Sequence, residues 1–320
     1  MPGLMKLPHP SSSTIGAPSD SSLAAPDWAV QMLSGAVPRC VERSASMSIF
    51  VRESDDFCLV TICLADVRDL PADQFHRQTA EIYRRIEREL QSRTACHPVR
   101  VWNHLPDIHA PSGDGADRYM AFNAGRYQAY SEWLGGAGAF DRTVPTASAV
   151  GHDGADLVIH ALGSRTPGIA VANPRQIAPH RYSKRFGPKP PCFARATVLP
   201  ASPQTPRRIF VGGTASIRGE ESIYVGDLAR QTQETFDNLA HLIRAAATGS
   251  KACNGLAPAD AIQWLGKFRN LRIYYVREAD RARIEPMASR TFAPGCAIEY
   301  VRANLCRAEL LVEIEGLAEA

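Results

Sequence analysis

The chain has 320 residues, with 45% apolar and 22% charged side chains, and 36 basic against 33 acidic residues leave a formal charge of +3. That length suits roughly two domains of about 150 residues and allows about 75% of the unfolded surface to be buried. The near-balance of charge, without basic runs interleaved with aromatics, excludes a dedicated nucleic-acid binder, and apolar runs fall far short of the roughly 20 residues of a membrane span.

In chain order, residues 1–23 mix Pro, Gly and Ser without apolar periodicity and are expected to be a mobile tail. No apolar signal segment stands there, and the eight cysteines are scattered without a CxxC pair, so the chain reads as cytosolic and reduced. FCLVTICLADV (57–67) predicts a buried strand. Asp69 and Pro71 then offer a cap and a first-turn proline for a helix to about Ser92, with Phe75, Ile82, Ile86 and Leu90 on one stripe. VRVWNHLPDI (99–108) predicts a strand leaving into a loop at Pro106, and MAFNAGRYQAYSEWL (120–134) a helix ending at Gly135-Gly136. Extended segments follow at 147–151, 156–163, 168–174 and 192–199. RIFVGG (208–213) predicts a strand before a helix from about Asp227 to Ala247, and strands at 271–278 and 310–317 close the chain. Strands alternate with amphipathic helices in both halves, so the expected fold class is α+β, with two related lobes, each a sheet covered on one face by helices.

Three segments carry candidate chemistry. In the last strand, alternation puts Val312 and Ile314 on one face and Glu313 and Glu315 on the other. A strand with one solvated face would show the same pattern. If instead one glutamate lines a pocket, burial raises its pKa and lets it donate a proton near neutrality. The stretch 173–196 carries six cations, Arg195 among them, no acid and five prolines, a rigid loop suited to an anionic ligand or simply a basic surface. Arg126 brings a guanidinium, the group that holds a carboxylate through two parallel hydrogen bonds. His104, Asp107 and His109 invite a metal, but their spacing fits no helical ligand pair and Pro106 breaks the local geometry. No metal site is expected. The glycine clusters match neither dinucleotide nor P-loop patterns, and no GxSxG elbow is present.

Taken together, NHLPDI (103–108), RYMAFNAGR (118–126), SAVG (148–151), the block at 173–196, IFVGGTAS (209–216), the QT-ETFDNL run (231–239) and CRAELLVEIEG (306–316) resemble the chorismatases over roughly residues 45–318. The resemblance implies two Rid/YjgF-like (chorismate-mutase-like) lobes, each a mixed sheet with helices packed on one face. It divides the chain into the tail 1–23, a lobe over 24–165 and a lobe over 166–320 carrying the catalytic strand. It further implies a cofactor-free enzyme that cleaves chorismate to pyruvate and hydroxybenzoate.

Glu313 matches the family's catalytic glutamate, the acid that protonates the enolpyruvyl ether. Arg126 and Arg277 match the groups expected for the two substrate carboxylates, and Tyr182, Phe186 and Ala215 are further substrate contacts. Cys306 matches the cysteine of the aromatising members, while Ala215 departs from the glycine of strict 3-hydroxybenzoate formers. The combination points to the group that releases 3- and 4-hydroxybenzoate in pigment biosynthesis. Chorismate hydrolysis to a dihydrodiol, Rid-type enamine or imine deamination, and non-catalytic binding of small carboxylic acids are the alternatives. The expected partner is the small-molecule substrate, without nucleic acid or membrane; a homotrimer and a monomer both stay open.

Overall fold

The computed structural model describes residues 21–320 apart from 34, 114 and 204. Most of the expected tail (1–20) therefore lies outside the described residues. Its last three, Ser21–Leu23, form a 3-10 turn, and His160 Nε2 lies 2.7 Å from the Leu23 carbonyl oxygen.

The first lobe runs α1 (Asp27–Gln31), β1 (Arg39–Arg43), β2 (Met47–Glu53), β3 (Phe57–Leu64), α2 (Ala72–Gln91), β4 (His97–Pro106), the small hairpin β5 (Pro111–Gly113) and β6 (Ala116–Asp117), α3 (Arg118–Trp133), α4 (Phe140–Thr143), β7 (Thr146–His152) and β8 (Leu157–Ser164). The second runs β9 (Ile169–Val171), β10 (Ala196–Leu199), β11 (Arg208–Ala215), the hairpin β12 (Ile217–Arg218) and β13 (Glu221–Ser222), α5 (Leu228–Thr248), α6 (Pro258–Leu265), β14 (Phe268–Tyr275), α7 (Glu278–Thr291), β15 (Ala297–Arg302) and β16 (Val312–Glu319). The predicted helices fall where periodicity placed them, while the strands foreseen at 168–174, 192–199 and 271–278 are confined to Ile169–Val171 and Ala196–Leu199 and shifted to Phe268–Tyr275. Asp69 does not cap α2, however. Pro71 holds the N-cap position without a side-chain hydrogen bond, its fixed φ serving the entry into the helix.

The sheets are ordered β1-β2-β3-β8-β4-β7 and β15-β14-β16-β11-β10-β9. Read in reverse, the second repeats the first: three antiparallel strands, a returning central strand, then an antiparallel neighbour that pairs in parallel with the edge. The expected two-lobe α+β architecture is met, and the sequence shows no repeat that would announce the shared topology.

Strand alternation assigns each sheet two buried faces. On the outer face of the first, Val60, Ile62 and Val101 pack under Phe75, Tyr83 and Ile86 of α2 and Phe122 of α3. On the second, Val312, Ile314 and Ile273 pack under Phe236, Leu239 and Ile243 of α5. The inner faces meet each other: Phe57, Leu59, Val99 and Trp102 join Phe210 and Leu317 in one cluster. Trp28 of α1 closes this seam, with its ring 5.5 Å from Trp102 and 5.9 Å from Phe210. Each such large apolar side chain contributes about 1.5–3 kcal/mol when fully buried. The layers are thus helix, sheet, sheet, helix. β16 lies inside its sheet with both faces covered, which overturns the reading of the glutamate face as solvated.

Candidate active site

Glu313 and Glu315 both point from β16 into the seam, and their surroundings differ. Glu315 is fully buried and receives Arg100 Nη2 at 2.6 Å, Trp102 Nε1 at 2.9 Å, Tyr274 Oη at 3.2 Å and the Ser148 hydroxyl. Glu313 is 4% exposed and opens onto a cavity of about 500 Å³ between the lobes. Burial pushes its carboxyl up to about 8, with the charge of Glu315 second; Arg195 and Arg100 pull it back. A carboxyl held so high carries its proton at neutral pH.

The room for that carboxyl comes from β11. The pairing of β11 with β16 slips between Val211 and Thr214, a bulge that places Gly212 and Gly213 beside Glu313. A Cβ at Gly213 would collide with Glu313 Oε1. Ala215 stands opposite Glu313 in the register, and Ala147, Ser148 and Ala149 of β7 keep the facing wall small.

The cavity's cations come from other elements. Arg126, buried on α3, donates from Nη2 to Asn123 Oδ1 at 2.7 Å and leaves Nε without a partner. Arg195 ends the proline-rich loop, is 3% exposed, and donates from Nη2 to Tyr182 Oη at 2.5 Å, with Nε again unpartnered. Phe193 lies by both guanidiniums, 5.7 Å from Arg126 and 5.2 Å from Arg195. Among the described residues neither arginine forms a salt bridge with a carboxylate, whereas buried Arg100 is paired with Glu315 and Arg272 with Glu299. Arg307 stacks on Phe186 at 4.1 Å and on Tyr182 at 5.4 Å, and donates to the Glu220 carbonyl at 2.8 Å and Ser222 Oγ at 3.0 Å. Cys306, between Glu313 and the loop, is a neutral thiol, pushed up to about 12 by burial and then by the carboxylate beside it.

The structure therefore gathers Glu313, Cys306, Arg126, Ala215, Phe186 and Tyr182 around one cavity. It does not bring Arg277 there. β14 ends at Tyr275, so Arg277 lies beyond the strand as the N-cap of α7, half exposed and paired with Asp280 at 2.9 Å. Arg195 lines the cavity instead. A signal for this was present: in Cys192-Phe193-Ala194-Arg195-Ala196, alternation puts Phe193 and Arg195 on one face and small residues on the other. His104 is buried against His160, 5.6 Å between ring centres, while His109 lines the cavity with Nε2 2.7 Å from the Leu305 carbonyl oxygen.

Fold and site together define a two-lobed α+β protein with an acid and two unpaired arginines enclosed between its lobes. Residues 36–163 match the family described as chorismatase FkbO/Hyg5-like, N-terminal. A 3-hydroxybenzoate synthase of Streptomyces hygroscopicus is 34% identical over 221 residues, 68% of this chain and 62% of that protein. A chorismatase of Streptomyces rapamycinicus is 30% identical over 221 residues, covering 68% and 63%. The chain thus spans a little under two thirds of the length of these two relatives. A crystal structure of a chorismatase superposes with a TM-score of 0.72 at 25% identity, over 88% of this chain and 80% of that one. The chain is thus similar to chorismatases over most of its length, in sequence and in fold.

Proposed function

We propose that this protein cleaves chorismate to pyruvate and hydroxybenzoate, with Glu313 as the general acid. The observation that carries the reading is the pairing of a buried, protonated carboxyl with two buried guanidiniums that have no carboxylate of their own. Uncompensated buried cations are costly, and a dicarboxylate ligand supplies the two missing charges. The names of the relatives, a 3-hydroxybenzoate synthase and a chorismatase, support the same substrate.

Glu313 delivers its proton to the terminal methylene carbon of the enolpyruvyl ether. The resulting oxocarbenium ion forms next to the new Glu313 carboxylate, which stabilises it electrostatically. The C–O bond to the ring then breaks, the ether oxygen leaves with the side chain as the carbonyl of pyruvate, and the ring cation aromatises by losing a proton, which the Glu313 carboxylate takes back. Pyruvate and hydroxybenzoate together hold the atoms of chorismate, so the overall change requires no oxidant. Arg126 and Arg195 fix the two carboxylates, and a strand inside a sheet holds the acid in line with the carbon it protonates. Cys306, as a neutral thiol at the ring end of the cavity, favours the aromatic product, and Ala215 opposite Glu313 leaves both 3- and 4-hydroxybenzoate accessible.

No helix among the described residues is long and apolar enough to cross a membrane, and a cytoplasmic location is proposed on the reduced cysteines. Incubation of the purified protein with chorismate alone tests the reading. Pyruvate and 3- or 4-hydroxybenzoate in equal amounts are expected, and intact chorismate at high protein concentration contradicts it.

A further inference from the structure

Of the two carboxylates on the seam face of β16, Glu315 never reaches the cavity, yet more donors converge on it than on any site residue. Arg100, Trp102, Tyr274 and Ser148 surround it. Ser148 Oγ also accepts from Arg100 Nη2 at 2.6 Å and from the Gly213 peptide N–H at 2.9 Å. Gly213 is the residue against which the Glu313 carboxyl lies. A continuous chain of contacts thus runs from Glu315 through Ser148 and Gly213 to the acid.

We propose that Glu315 is the positioning residue of this site: through Ser148 it fastens the β11 bulge that shapes the Glu313 pocket, and it fixes a negative charge on the acid's own strand face. The proposal rests on the reading of Glu313 as proton donor and adds the device that keeps the proton there. Side chains two residues apart on one strand face are about 7 Å apart, close enough in a dry seam for one carboxylate to disfavour ionisation of the other.

The other charged and titratable groups around Glu313 are Arg100 from β4, Tyr274 from β14, which stands opposite it in the register, Arg195 from the proline-rich loop, Tyr119 and Arg126 from α3, and Cys306. Arg195 and Arg100 oppose the effect, but Arg100 is engaged directly by Glu315 at 2.6 Å, which leaves Glu315 as the stronger influence.

The test follows the Glu313 carboxyl by 13C NMR in substrate-free protein labelled at the glutamate side-chain carboxyls, with the signal assigned by its loss in Glu313→Gln. In Glu315→Gln the midpoint is expected to fall by about one pH unit or more. In Arg100→Gln/Glu315→Gln it is expected to fall by less, because an opposing charge leaves with it. This double variant strands no buried charge, so it decides the question if the single one does not fold. The alkaline limb of kcat/KM for pyruvate release should move down with the midpoint. An unchanged midpoint in folded variants overturns the proposal. Since the titration needs no substrate, a shifted midpoint in a protein that leaves chorismate intact retains the role of Glu315 and discards the proposed reaction.

Discussion

Arg126 and Arg195 both lie against the Phe193 ring, each buried and each with an unused Nε–H. A guanidinium in that state is poised for a carboxylate with little rearrangement, because its fork is already ordered by Asn123 in one case and Tyr182 in the other. In the proposed reaction, removing either leaves a substrate carboxylate desolvated and unpaired. Arg126→Ala and Arg195→Ala are each expected to lower kcat/KM by about 30- to 1000-fold, or 2–4 kcal/mol. Arg277→Ala, at the cap of α7, should stay within about threefold of the parent. Steady-state assays of pyruvate release check all three, and a large loss for Arg277→Ala would contradict the placement. At this scale the sequence disclosed Glu313 and Arg126 because motif and residue type coincide there. Arg195 stayed hidden among six cations of one loop, since charge count cannot show which of them the chain turns inward.

The bulge in β11 exists because two glycines stand where the ladder slips against β16. Gly213→Ala puts a methyl group into the space of the Glu313 carboxyl, and the atoms it meets belong to a side chain held on a central strand. Overpacking of this kind costs about 1–3 kcal/mol. Gly213→Ala is expected to retain its circular dichroism spectrum while pyruvate release falls at least about tenfold; full activity would show that the carboxyl is not confined there. Elements with a strong apolar period, such as β3, α2, α5 and β16, were legible from sequence. α7 was not, because its run from Glu278 to Thr291 is charge-rich, contains Pro286 and buries few residues. β1 and β15 have mostly exposed or half-buried side chains, so they carry no clear alternation to read.

The molecule as a whole places the buried acid Glu313 where two sheets of the same topology meet, and its pH behaviour follows from that placement. Within the fold Glu313 keeps its proton up to about pH 8, whereas an unfolded glutamate ionises near about 4.3. Between those values the unfolded chain binds fewer protons, so stability falls as pH rises and levels off above the folded midpoint. Glu313→Gln removes this loss. In urea denaturation it should match the parent near pH 4 and exceed it by about 2–5 kcal/mol at pH 8, and equal stabilities at both pH values would contradict a buried neutral acid. Sequence could show that a carboxylate pair shared a strand face, but not that a second sheet covered it; that depends on which lobe packs on which, a property of the assembled fold. The central claim is tested most directly by pyruvate release from chorismate at pH 7, comparing the parent with Glu313→Gln. The account predicts that the amide variant still binds chorismate but turns it over at least about a hundredfold more slowly, whereas release at the parental rate would contradict it.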